Sequence, residues 1–316
     1  MLHDVRDWIW RKPGTFTVQR CAGCGLVMTR PRPDPDALAW YYEGAYSGQG
    51  ESARSKREGA TNTFGQALNG YRLHVLSKVR RPGPDDQLLD VGCSYGGFLW
   101  LARQRTGCRT AGVDLDEGSV REALDPDQTE YRAGTLLDAA FEPQRFDLIT
   151  FYECLEHDPA PVETLREAHR VLAPGGVVAV EVPNFEGLWR RVFGRYWMPL
   201  LMPQHLIHFT PDTLRAALEA AGFQVVHRQT MWFPLEGVAS YALWMGTLLR
   251  VPPAGSPPSW RTPFDLLFGL SVVVLWFVAE LPTQLLLWAT RHTGHVTMIA
   301  RKAAPDQAPP DTIAGW

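Results

Sequence analysis

The chain has 316 residues and 45% hydrophobic content, enough to bury a large core as one big domain with a small module beside it. A formal net charge of −3 excludes any global attraction to nucleic acid. Five cysteines, odd in number and mostly scattered, exclude a disulfide framework and fit reduced thiols in the cytoplasm.

The first residues, "MLHDVRDWIW", lack the basic-then-apolar pattern of a secretory signal. Residues 15–29 predict a β-hairpin pinched at Cys21 and Cys24, and "PRPDPDALAWYY" predicts a proline-rich exit and a short helix. Apolar residues then recur at Phe64, Leu68, Tyr71, Val75 and Val79, a helical spacing that "RRPGPDD" stops. Alternation follows: strand 87–91, helix 97–105, strand 109–114, helix 117–124, strand 129–132, strand 146–151, helix 161–172 and strand 176–182. Strands alternating with helices imply a doubly wound parallel α/β sheet. "FTPDTLRAALEAAGFQVV" adds a helix with Thr210 as N-cap, and a further strand. A greasy segment, about 236–292, precedes a closing strand in "HVTMIARKA", and 303–316 reads as a disordered tail.

The segment "LLDVGCSYGGFL" carries the main signal. Glycines after a first strand let a ligand approach the backbone at the next helix N-terminus. A dinucleotide pyrophosphate needs a wholly apolar strand before them, whereas here Asp90 precedes Gly92, Gly96 and Gly97 and would repel it. An acid in that place suits an ammonium group. A second acid, Asp114 in "AGVDLD", lies 22 residues after Gly92, where a ribose-binding carboxylate belongs. An amino acid joined to a ribose without phosphate describes S-adenosylmethionine.

"LLDVGCSYGGFL", "AGVDLD", "FDLITFYECLEH" and "VLAPGGVVAVEVPN" resemble the successive motifs of class I S-adenosylmethionine-dependent methyltransferases over roughly 85–235. The resemblance implies a Rossmann-like, seven-stranded sheet with an antiparallel last hairpin. It implies a cofactor at the carboxyl ends of the first strands, with Asp90, Gly92 and Gly96 at its methionine end and Asp114 on its ribose. Leu115 would flank the adenine and Gly134–Leu136 would close over it. Cys93, Gly97, Thr135, Leu136 and Tyr152 join this cofactor set by the same likeness.

"ECLEHDPAP" places Glu153, Glu156 and His157 after the fourth strand, and "PQHLIHFTPDTL" places His205 and His208 before a helix. The E-x-x-E-H spacing offers two carboxylates and an imidazole, a partial divalent-metal set. It is similar to that of ubiquinone-pathway O-methyltransferases and small-RNA 2′-O-methyltransferases, which bind a divalent ion there together with a later histidine. That likeness implies Glu153, Glu156, His157 and His208 as metal ligands. Without a metal, His157, His205 and His208 are the candidate general bases for a hydroxyl nucleophile, with Glu156 beside them. Both chemistries stay open.

"CAGCGLVMTRPRP" followed by "WYYEGAY" resembles the zinc-ribbon module that precedes many such methyltransferases, so 1–50 reads as a module and linker and 51–302 as the methyltransferase domain. Only His3 lies upstream of Cys21 and Cys24, which leaves half a four-ligand site, and bound zinc is not expected. In the greasy segment, "LLFGLSVVVLWFVA" (266–279) is uncharged but short of the ~20 residues that span a bilayer. It predicts a helical lid or a peripheral membrane contact through 264–290 at the inner face. "LWRRVFGRYW" (188–197) interleaves arginine with aromatic residues, which suits a headgroup boundary or a substrate entrance. The expected activity is methyl transfer to oxygen or carbon of a small, sugar- or lipid-linked acceptor. The alternative is a cofactor-binding, non-catalytic partner or membrane-associated subunit.

Overall fold

The computed structural model describes residues 1–43, 57–231, 236–248 and 294–302, with scattered positions between 267 and 283. In chain order the strands are β1 (Leu2–Val5), β2 (Phe16–Arg20), β3 (Val27–Arg30), β4 (Gln87–Val91), β5 (Arg109–Asp114), β6 (Thr129–Ala133), β7 (Phe146–Tyr152), β8 (Leu172–Pro183), β9 (Ile207–His208), β10 (Phe223–Met231) and β11 (His295–Lys302). The helices are α1 (Pro35–Tyr42), α2 (Thr63–Ser77), α3 (Gly97–Thr106), α4 (Glu117–Arg121), α5 (Pro161–Val171), α6 (Leu188–Phe193), α7 (Pro211–Ala220) and α8 (Glu236–Leu248).

Two compact units form. Of the described residues, one gathers 57–182, 214–228 and 297–302, and the other gathers 1–43, 183–213, 229–231, 236–248 and 294–296 with the scattered positions between 267 and 283. The first unit is built on a seven-stranded sheet of order β10-β11-β8-β7-β4-β5-β6, mostly parallel with its last strands antiparallel. This is the Rossmann-like arrangement implied by the motifs. Order reverses beside β4, the usual place for a ligand on the carboxyl edge of such a sheet. Strands buried on both faces read as apolar runs, and Val177, Val178, Val180 and Val182 are fully buried.

Local sequence sets the helix ends. Asn62 caps α2 by accepting from the Gly65 N–H at 2.8 Å. α5 starts on Pro161, carries Glu163 in its first turn and His169 and Arg170 in its last, all favourable to the helix dipole. Thr210 and Thr213 cap α7 reciprocally: the Thr210 N–H donates to Thr213 Oγ1 at 2.9 Å and the Thr213 N–H to Thr210 Oγ1 at 3.2 Å. α4 stops at Arg121, three residues before the expected end. The Leu124 N–H turns away to donate to Tyr95 O, and Asp125 takes a left-handed conformation (φ 50°).

The second unit holds a four-stranded sheet of order β1-β2-β3-β9. The expected hairpin is β2–β3, joined antiparallel with Val18 opposite Thr29. Two further strands, β1 and the two-residue β9, went unread because each is too short to show a period. Val5, Phe16, Val18, Tyr41, Phe185, Trp197, Leu200 and Met202 form this unit's own core. The segment 264–290 lies largely outside the described residues, and among those described no helix is long and apolar enough to cross a membrane.

Candidate active site

Gly92 and Gly96 both take φ 77°, a left-handed conformation that costs other residues strain. A Cβ on Gly92 would stand 2.6 Å from Cys154 Sγ, and one on Gly96 would collide with the Tyr131 hydroxyl. The turn is therefore glycine for space as well as for torsion. Its next backbone donor is fixed by the second acid: the Ser94 N–H donates to Asp114 Oδ2 at 2.7 Å, and the Asp116 N–H to Asp114 Oδ1 at 2.9 Å. Each Asp114 oxygen keeps lone-pair capacity for a hydroxyl.

Asp90 is buried and accepts from Thr150 Oγ1 at 2.6 Å. Burial raises its pKa to about 7, with Thr150 and Arg72 opposing the rise and Asp114 adding to it. Leu115, next to Asp114, is 75% exposed and presents an apolar surface. The remaining cofactor candidates serve locally. Cys93 is buried, its thiol pushed well up by desolvation. Gly97 opens α3, where a Cβ would stand 2.8 Å from that of Ala60. Thr135 closes a loop with Asp138 through its N–H at 3.0 Å and its hydroxyl at 2.6 Å. Leu136 is in the core, and Tyr152 is buried edge-on against Phe98.

Beyond β7, Glu153 leaves the strand with φ 56°, its N–H held by Glu181 O at 3.0 Å. Glu156 and His157 follow in a single tight turn, Leu155–His157. Glu156 is buried, and desolvation, then Glu153, pushes its carboxyl well above the usual range, with Glu181 adding and Arg72 opposing. His157 is half-buried in the same turn.

Arg72, Glu181 and Thr297 were not read from the sequence. Arg72 Nε and Nη2 both donate to Glu181 Oε1 at 2.8 and 2.6 Å, and Thr297 donates to Glu181 Oε2 at 3.1 Å. The Arg72 guanidinium also lies 4.8 Å from the Tyr152 ring centroid. Two signals were there: Glu181 is the lone acid in "VVAVEVP", and Arg72 falls among the apolar positions of α2.

His205 and His208 belong to the other unit. The His205 ring stands 2.8 Å from Pro199 O at Nδ1. A carbonyl only accepts, so Nδ1 carries the proton and Nε2 the basic lone pair. His208 lies on β9, which pairs with β3 through Val27 and Met28. Thr29 Oγ1 donates its single proton to His205 O at 2.7 Å, so His208 Nε2, 3.0 Å away, donates to Thr29. Burial, then Arg190, lowers the His208 pKa to about 3 and keeps the ring neutral. The Cys21 and Cys24 thiols face one another in the β2–β3 turn, where N–H groups of Cys24 and Gly23 lower the Cys21 pKa.

Fold and glycine turn together place the molecule among the Rossmann-like, S-adenosylmethionine-dependent methyltransferases. Residues 65–228 match the family model described as a methyltransferase domain, and the chain belongs to that family. It is 34% identical over 172 residues to the ubiquinone biosynthesis O-methyltransferase of Xanthomonas campestris pv. campestris (strain B100), covering 50% of this chain and 71% of that protein. The enzyme of the same name from Pseudomonas syringae pv. tomato is 34% identical over 172 residues, covering 48% and 74%. Among solved structures, Haemonchus contortus phosphoethanolamine N-methyltransferase 2 with S-adenosyl-L-methionine superposes at a TM-score of 0.57 and 18% identity, covering 88% of this chain and 63% of that one. A methyltransferase from Archaeoglobus fulgidus gives 0.50 and 18%, covering 80% and 100%. At such identities the two structures speak for the fold alone.

Proposed function

We propose that the protein methylates a hydroxyl of a small, sugar- or lipid-linked acceptor. The observation that carries this is Asp90: a buried carboxyl, half-ionised near neutrality, placed before a left-handed glycine turn. A cationic amino-acid moiety is the ligand that such a group favours. Asp90 would take the ammonium, Asp114 the ribose hydroxyls and Leu115 one face of the adenine. Gly92 and Gly96 would admit the methionine end, while Cys93, Gly97, Thr135, Leu136 and Tyr152 act by packing the walls. S-adenosylmethionine supplies an electrophilic methyl group. The protein aligns the acceptor oxygen, excludes water and removes its proton. The O-methyltransferase relatives support oxygen as the nucleophile.

Glu153, Glu156 and His157 fit a divalent cation by their chemistry. Burial, then the neighbouring Glu153, raises the Glu156 carboxyl pKa, and a cation would offset both by favouring the carboxylate. Two carboxylates and an imidazole suit Mn²⁺, Fe²⁺ or Zn²⁺. Failing a metal, His205 is the better base, because its Nε2 carries the lone pair, whereas His208 binds protons too weakly.

Peripheral contact with a bilayer belongs to the same proposal. Leu267, Leu270, Val274 and Val278, at helical spacing in the greasy segment, are each more than half exposed.

Calorimetry tests the cofactor. S-adenosylmethionine should bind in the micromolar range, about −8 kcal/mol, and Asp114→Ala should weaken it; binding of NAD instead would sink the proposal. Transfer of labelled methyl to a hydroxyl in a metabolite extract tests the acceptor class. Loss of that transfer on chelation and in Glu156→Ala, with cofactor binding retained, supports a metal. Full turnover in excess chelator ends that part.

A further inference from the structure

In the second unit a tight turn after β8 leads into α6. The Phe185 N–H donates to Phe209 O at 2.8 Å, and the Gly187 N–H to Asn184 O at 2.9 Å. The turn sets the Phe185 ring beside one guanidinium and one neutral imidazole. The Arg190 guanidinium lies 4.1 Å from the ring centroid, and its Nε donates to Phe185 O at 3.0 Å. The His208 ring, kept neutral by burial, lies at 5.5 Å, tilted by 39°. Arg190 is only half exposed, yet it makes no ion pair with a carboxylate among the described residues. Its surroundings are cationic. Arg191 and Arg20 at the end of β2 depress its pKa after burial itself, and only the exposed Glu186 acts the other way.

A guanidinium has five N–H donors in a planar fork, and here one is committed, to a carbonyl. Withdrawing such a cation from water without a counter-charge is unfavourable. Structural arginines elsewhere in the chain have that counter-charge: Arg72 has Glu181, Arg80 has Asp86 and Asp147, and Arg145 has Glu130. Arg190 stacks on an aromatic ring as Arg72 and Arg145 do, but its near charges are mainly two guanidinium groups, and among the described residues it forms no ion pair with a carboxylate.

We infer that Arg190, stacked on Phe185 and flanked by Arg191 and Arg20, is a binding site for a phosphate group carried by the acceptor. Arg offers phosphate a bidentate fork, and Phe185 fixes the plane of that fork. The phosphate comes from a free phosphorylated metabolite or from a lipid headgroup; the exposed Val192 beside Arg191 is compatible with both. The inference rests on the acceptor proposal above for what the phosphate is attached to, while the anion site itself is tested without turnover.

The test follows intrinsic tryptophan fluorescence, since Trp189 and Trp197 lie on the same segment, during titration with phenyl phosphate. A parallel series uses sedimentation with vesicles of phosphatidylglycerol, with phosphatidylcholine vesicles as control. Saturable binding of one anionic probe is expected. Arg190→Gln should weaken it at least about tenfold, near 1.4 kcal/mol, and Arg190→Lys should restore part of it. Saturation by phenyl phosphate assigns a free phosphorylated acceptor, and retention on phosphatidylglycerol alone assigns a headgroup. No response to either probe, or an equal response in Arg190→Gln, overturns the inference. If circular dichroism shows Arg190→Gln unfolded, Arg191→Gln at an exposed position carries the test, and undiminished binding there overturns it. Calorimetry with S-adenosylmethionine on the same sample separates the two proposals: phosphate binding without cofactor binding leaves this site standing and removes the methyltransferase assignment of the pocket.

Discussion

Asp90 couples pH to two measurable quantities in opposite directions. Its folded-state pKa is raised to about 7 from 3.8, so between those values the native chain holds a proton that the unfolded chain has lost. Its contribution to stability is therefore full below pH ~4 and is lost as pH rises through ~7. An ammonium ligand selects the ionised form instead. Cofactor affinity should rise about tenfold from pH 6 to pH 8, and Asp90→Asn should bind weakly with no such slope. Calorimetric titrations at three pH values decide it. A flat wild-type profile would mean that the carboxyl is not the ammonium's partner. The acids at strand ends were legible because an acid breaks an apolar run. Arg72 and Glu181 were not, because their partners come from α2, β7, β8 and β11, and no local pattern joins elements so distant in sequence.

At the scale of elements, caps and periodicity made every helix and strand of the seven-stranded sheet readable to within a few residues. The larger departures are β8, which begins at Leu172, four residues before the expected start, and the early stop of α4, which depends on a long-range bond from Leu124 to Tyr95. β1 and β9 exist only because a neighbour pairs with them, and so carry no signal of their own. Their importance shows at Thr29. This buried hydroxyl donates to His205 O and accepts from His208 Nε2, tying β3 to the segment around β9. Thr29→Val keeps the shape and leaves both groups unsatisfied, at a cost of about 1–3 kcal/mol each. A urea unfolding curve should shift to a lower midpoint with unchanged slope. A midpoint within error of wild type would show that water replaces the hydroxyl.

For the whole molecule, the alternation of strands and helices indicated the α/β sheet that forms, and no local feature could indicate that the N-terminal strands share a core with residues 183–213. That core includes Trp197, Phe185 and Met202 together with Val5, Phe16 and Val18. The greasy segment is tested at this scale too. If the exposed Leu267, Leu270, Val274 and Val278 meet lipid, the wild type should float with liposomes and Leu270→Glu should remain in the dense fraction. A wild type that ignores liposomes leaves those residues to another role.

The four-stranded sheet has a consequence in time. Its strand β3 ends at Arg30, and the strand that covers its edge begins at Ile207. At synthesis rates of roughly 5–20 residues per second, the ribosome needs roughly 10–35 s to supply that partner. Through that interval the hairpin presents Val27 and Met28 on an open β edge, a template for pairing with another chain. A nascent copy on a crowded polysome is therefore most vulnerable before its two-residue strand has been made.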